Sequence, residues 1–238
     1  MPRRLHEALV ALLHNLPETV ADVLVALGEL PTQARQFNSA QRLSFGEAQP
    51  IEARPDLVVL CGSDLVLLVE VQRRRDAAKK WTWPLYVALA LRHFGRPARV
   101  VVVTPSLQVA RWARAPIRLG GPGDVIMSLV LGPDTVPCIT DIGQARARPG
   151  AALLSAIVHA ESAQAAQAAL AGLYAVEALA EDQQFYYNDL ILGQLSESDL
   201  LILEAMMHQQ DSARPALIGV PKGYTDSPRK VGIARQLG

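Results

Sequence analysis

Three residues in the stretch RPDLVVLCGSDLVLLVEVQRRRDAAKK, Arg54 to Lys80, have the types and spacing to do chemistry: Asp56, Glu70 and Gln72. They stand at the outer ends of two apolar runs, where an unpaired carboxylate is costly to bury. If the runs form a hairpin turning about Gly62-Ser63, opposed residues have numbers summing to about 126, and opposed Cβ atoms lie roughly 4.5–5.5 Å apart. Asp56 then faces Glu70, and the side-chain period of two sets Gln72 on the same face as Glu70. Two carboxylates that close repel unless a cation joins them or one is protonated. Hard oxygen donors of this kind suit Mg²⁺, which takes one or two carboxylates and keeps several waters; Mn²⁺ is the natural substitute. A metal held so orients a water and stabilises charge developing on a phosphodiester. Gln72 is suited to positioning that water.

The segment that follows, RRRDAAKKWTW, carries five basic residues against one acid. Arg73, Arg74, Arg75, Lys79 and Lys80 form a local patch suited to phosphates, while a tryptophan such as Trp81 or Trp83 can stack on a base. Trp83 reads better as a core residue. The plainer alternative is a solvated charged turn, just as Asp56 alone could simply open a strand. The five histidines are scattered without metal-ligand spacing. Arg111-Trp112-Ala113-Arg114 reads as helix packing with a salt bridge, and GGPGD (120–124) as a turn.

The elements that must position these residues follow from periodicity. Leu5, Leu9, Leu12, Leu13 and Leu16 recur at helical spacing, predicting a helix over 4–15. Pro17 opens a second helix that Gly28 and Pro31 end. Residues 35–48 predict an extended segment. The runs at 56–60 and 65–72 are apolar on both faces, as in a sheet covered on both sides. Pro84 is placed to open a helix through His93, followed by a buried strand at 98–105 and a helix at 106–114. SLVLG (128–132) and VPCIT (136–140) predict two further strands. From Pro149 the composition turns to Ala, Leu, Gln and Glu, and helices are expected at 150–160, 162–180, 182–194 and 197–209. These Ala-rich helices serve as core or as a dimer surface, so a homodimer is one expectation. The domain reading is an α/β core over 1–148, a helical extension over 149–210 and a poorly ordered tail over 211–238.

The bulk properties limit the partners. The 23 basic and 23 acidic side chains of this 238-residue chain cancel, so any nucleic-acid site is a local patch rather than the usual basic footprint. Half the chain is apolar and 19% is charged, an ordinary globular composition. Two cysteines, Cys61 and Cys138, give neither a disulfide framework nor a zinc set and fit small core residues in a reducing cytoplasm. The N-terminal apolar run is interrupted by His6, Glu7, His14 and Asn15, unlike a signal peptide, and no run has the length of a membrane span.

The order Pro55-Asp56, a spacer, then Glu70-Val71-Gln72 on the next strand resembles the PD-(D/E)XK nuclease superfamily. The wider run VEVQRRRDAAKKWTWPLYVA and the HEAL opening resemble a bacterial group of Rpn-like (recombination-promoting nuclease, transposase-like) proteins. That resemblance implies a restriction-endonuclease-like mixed sheet flanked by helices. It further implies metal-dependent DNA hydrolysis, in a setting of recombination, mobile elements or defence. Asp56 and Glu70 would be the metal ligands with the Val71 carbonyl as a third, and Glu7 would match the acid that often completes such sites. Glu7 also suits the first turn of a helix as a plain dipole partner. Gln72 stands where the superfamily usually has lysine, and Lys79 or Lys80 is placed to supply the charge. RNA cleavage is the neighbouring expectation, and a catalytically inactive nucleic-acid-binding or scaffold module is the rival.

Overall fold

The computed structural model describes residues 2–35, 37–41, 54–120 and 124–210; the expected tail at 211–238 lies outside them. The described chain divides into two compact units that meet at Val136 and Pro137. The first is a mixed α/β core. Helices α1 (Pro2–Asn15) and α2 (Glu18–Ala26) and a 3-10 turn at Thr32–Arg35 lead into strands β1 (Phe37–Gln41), β2 (Leu57–Cys61) and β3 (Leu65–Val71). Helix α3 (Lys79–Phe94), strand β4 (Ala98–Val103), helix α4 (Leu107–Ala113), the two-residue strands β5 (Ile117–Arg118) and β6 (Val125–Ile126), and β7 (Leu129–Leu131) complete it. The main sheet runs β1-β2-β3-β4-β7, with β5 and β6 pairing separately around the 120–124 segment. Strands β1, β2 and β3 are antiparallel, whereas β3, β4 and β7 are parallel. Parallel neighbours need a crossover, and α3 supplies the one between β3 and β4.

The hairpin register is the one the spacing predicts: pairs run from Leu57 opposite Val69 to Cys61 opposite Leu65. Gly62 turns the chain at φ 58°, a left-handed conformation that glycine adopts without a Cβ clash. Even-numbered strand residues Val58, Val66, Leu68, Val100, Val102 and Val130 share one core with Trp83, Tyr86 and Ala90 of α3 and with Ala110 and Ala113 of α4. The odd-numbered set Leu57, Val59, Leu67, Val69, Val101 and Val103 is equally buried. A sheet buried on both faces explains why these strands read as continuous apolar runs rather than alternating ones.

Helix α3 differs from the sequence expectation in a way that matters for the site. It begins at Lys79, not Pro84, which sits inside the helix. Proline is best tolerated in the first turn, where its missing N–H costs nothing, and that preference misplaced the start. Lys79, Trp83, Tyr86 and Ala90 consequently fall at i, i+4, i+7 and i+11, one helical face. Gly95 ends the helix at φ 64° with its N–H on the Leu91 carbonyl (2.9 Å), an αL stop.

The second unit is helical: α5 (Ile142–Ala147), α6 (Pro149–Val158), α7 (Ala165–Val176), α8 (Glu181–Gln194) and α9 (Glu197–Gln210). It takes in residues 137–148, which composition assigns to the core, because α5 packs on α7 and α6. No strand forms at 136–140. The Ile139 N–H goes to Ser155 Oγ (2.8 Å) instead of a sheet ladder. Ser196 caps α9 by accepting the Asp199 N–H (3.2 Å). Helix α7 is buried along its whole length, so its alanines serve as core. At Gly172 an added Cβ would lie 2.8 Å from Ala156 Cβ and 3.1 Å from Ile191 Cδ1. In an open helix Gly→Ala stabilises by about 1 kcal/mol, but overpacking a tight contact costs about 1–3 kcal/mol. Gly172→Ala is therefore expected to lower the urea midpoint, a sign opposite to the helix-propensity rule; a raised midpoint would show that α6 and α7 separate freely.

Among the described residues, no single helix is long and apolar enough to cross a membrane.

Candidate active site

The hairpin register carries Asp56, just before β2, and Glu70, on β3, onto the face of the sheet that α3 covers. Asp56 is fixed by the backbone of the opposite strand: the Val71 N–H donates to its Oδ2 (2.8 Å). Glu70 is 3% exposed. Lys79, from the first turn of α3, donates to both of its carboxylate oxygens at 3.1 Å. The Gln72 side chain, 8% exposed, donates from Nε2 to Glu70 Oε2 (3.3 Å). Its backbone N–H extends the ladder to the Val103 carbonyl (2.9 Å). Asp56, Glu70, Val71, Gln72 and Lys79 thus meet at one end of the sheet.

Helix α1, which packs on β2 and β3, adds a residue that the sequence reading set aside. His6 Nε2 lies 3.4 Å from Asp56 Oδ2. Glu7, its neighbour, is exposed on α1; its charge acts on His6. The sequence signal for His6 was weak. A histidine beside a leucine stripe shows its helix face but not which strand end that face meets. Tyr86 was also missed: its hydroxyl donates to the Arg54 carbonyl (2.8 Å), and its ring lies under the Lys79 ammonium, 5.9 Å from the centroid.

The electrostatics follow from burial and close charge. Burial, first of all, pushes the Glu70 carboxyl above its ordinary value; the Lys79 charge opposes this and the Asp56 charge adds to it. Tyr86 is held above its ordinary value by burial and then by Glu70. The hydrogen bond to Asp56 is the largest cause raising His6 above its ordinary 6.5, with further help from the charges of Asp56, Glu70 and Glu7. A histidine raised on folding stabilises the fold fully below about pH 6.5, and that contribution is lost as pH rises through its folded-state value. We expect the His6 ring to titrate above 6.5 by NMR and Asp56→Asn to bring it down. An unchanged midpoint in that variant would mean that the contact carries no weight in solution.

Arg73, Arg74, Arg75 and Lys80 lie exposed on the turn after β3 and at the start of α3, whereas the Lys79 ammonium is directed inward onto Glu70. The expected salt bridge of the Arg111–Arg114 segment is a two-pronged one, from Arg114 to Asp134 at 2.5 and 2.7 Å.

Among the described residues, no group of three or more His, Cys, Asp and Glu side chains is arranged to hold a metal ion. Any cation here rests on two carboxylates, backbone oxygen and water, which is the donor set Mg²⁺ accepts. Asp56 and Glu70 fit that requirement in donor type. Their oxygens already face His6 and Lys79, so a divalent ion competes with an imidazole and an ammonium for the same atoms.

Compared with protein-family models, with curated proteins and with solved structures, the chain matches none.

Proposed function

We propose that this protein is a divalent-metal-dependent deoxyribonuclease of the PD-(D/E)XK type. Asp56 and Glu70, with the Val71 carbonyl, would hold Mg²⁺ or Mn²⁺, which when bound supplies Lewis-acid stabilisation of the phosphodiester and a more acidic water. Gln72 donates from its carboxamide to orient that water or a phosphate oxygen. Lys79 brings, from the helix, the ammonium that the superfamily usually draws from the position of Gln72. The exposed Arg73, Arg74, Arg75 and Lys80 grip the DNA backbone without reading sequence. The observation that carries this reading is the meeting of Lys79 with Glu70 at 3.1 Å, beside Asp56 and Gln72. The order helix, three antiparallel strands, helix, parallel strand supports it further. Free Cys61 and Cys138 fit action in a reducing cytoplasm.

The test incubates pure protein with supercoiled plasmid, single-stranded DNA and RNA, in Mg²⁺, Mn²⁺ or EDTA, beside Asp56→Ala. Cleavage with metal, lost in EDTA and in the variant, is expected; equal cleavage by the variant would sink the assignment. One observation favours a second reading: Lys79 already pairs with Glu70, and His6 stands 3.4 Å from Asp56. Nucleic-acid binding without cleavage in any metal would identify a catalytically inactive module built on the same fold.

A further inference from the structure

Beside the start of α3 lies a cleft of about 380 Å³, lined by Lys80, Trp81, Trp83, Trp112, Pro116 and Arg118 among others. Its size is that of small-molecule sites, roughly 300–1,000 Å³. Trp81 is 78% exposed, the most open of the large apolar side chains in the described residues. Trp83 forms the inner wall at 2% exposure, and its indole Nε1 is buried without a hydrogen-bond partner. Trp112 stands beside it, with ring centroids 5.5 Å apart and planes tilted by 53°. Both charged residues lining the cleft, Lys80 and Arg118, are cations.

Tryptophan faces between cations have a particular chemistry. They bind a flat π-system that carries negative charge close by, as each nucleotide of a single strand does. A base inside a duplex is already stacked on both faces and cannot offer one. The cleft is also tied to the carboxylate site. Lys79 faces Glu70 while Lys80 lines the cleft, and adjacent Cα atoms are only about 3.8 Å apart. The cleft wall and the lysine that holds Glu70 are therefore neighbouring residues at the start of α3.

We propose that this cleft holds an unpaired nucleobase of a single-stranded nucleic acid, stacked on Trp81 with its phosphates on Lys80 and Arg118. The proposal deepens the nuclease reading, on which it rests for its substrate class. DNA and RNA strands share the chemistry, so both belong in the test.

Fluorescence anisotropy with labelled oligo-dT, oligo-rU and a hairpin duplex, all in EDTA, reads binding apart from cleavage. Full-length protein should bind at least one single strand more tightly than the duplex. Trp81→Ala should weaken that binding about 5- to 150-fold, the range of one lost base stack. Trp81→Phe should restore most of it, and Lys80→Ala with Arg118→Ala should reduce its salt dependence. Trp81 is exposed, so its replacement leaves the fold intact, which circular dichroism checks. Equal binding by Trp81→Ala, no preference for single strands, or no binding of either strand would overturn the proposal. A protein that binds single strands through Trp81 yet never cuts keeps this inference and ends the nuclease reading. One that cuts duplex DNA with no Trp81-dependent binding does the reverse.

Discussion

Glu70→Gln is expected to lower Mg²⁺-dependent DNA cleavage by more than about 100-fold with the fold retained. Loss of a residue that only supports a metal ligand typically costs about 10- to 100-fold, and Glu70 is proposed as a ligand itself. Glutamine is the informative replacement because Glu70 is 3% exposed. It keeps the volume and still offers Lys79 an oxygen, whereas alanine would leave both a cavity and a stranded ammonium. Breaking a buried ion pair costs about 3–5 kcal/mol. The Lys79 side chain is 17% exposed, so water and the retained amide reduce that cost well below the full figure. Single-turnover cleavage rates and melting temperatures, taken on the same preparations, separate the two effects. A variant that melts normally and cuts at the parent rate would remove Glu70 from the chemistry.

Trp83→Ala is expected to destabilise the first unit by about 3–5 kcal/mol, the usual cost of emptying a buried aromatic site. Trp83 packs with Tyr86, Ala90, Val66, Leu68, Val100 and Val102, where α3 lies on the sheet. Trp83→Phe should cost far less. It keeps most of the ring contact and removes an indole N–H that has no acceptor, so no hydrogen bond is lost with it. Urea unfolding of both variants decides the matter. Equal losses for Phe and Ala would mean that the Nε1–H has a partner in solution, and a loss under about 1 kcal/mol for Ala would mean that the site collapses freely.

Much of the core was legible because short-range rules govern it. Alternation is suppressed in a sheet buried on both faces, so the runs at 57–61 and 65–71 announced themselves as interior strands. A glycine between them, needed at positive φ, marked the turn and with it the register. Two strands in a known register leave no freedom over which side chains face each other, so Asp56, Glu70 and Gln72 could be placed together from spacing alone. The helices of the second unit followed from composition, although α5 was missed because six residues carry too little periodicity to stand out.

What spacing could not supply was the choice between Lys79 and Lys80, or the place of His6. Lys79 reaches Glu70 only because α3 starts five residues before Pro84 and its face packs on β3, putting residue 79 one turn ahead of the buried Trp83. His6 reaches Asp56 only because α1 lies across β2 and β3. His6 and Asp56 are far apart in the chain, and even Lys79, nine residues from Glu70, depends on where its helix starts; helical periodicity identifies the buried face of an element, not the strand end it meets. The sequence by itself therefore determined the two carboxylates, their carboxamide neighbour and the hairpin that brings them together. The tertiary structure alone decided which positive charges stand against them, because that depends on how whole helices dock.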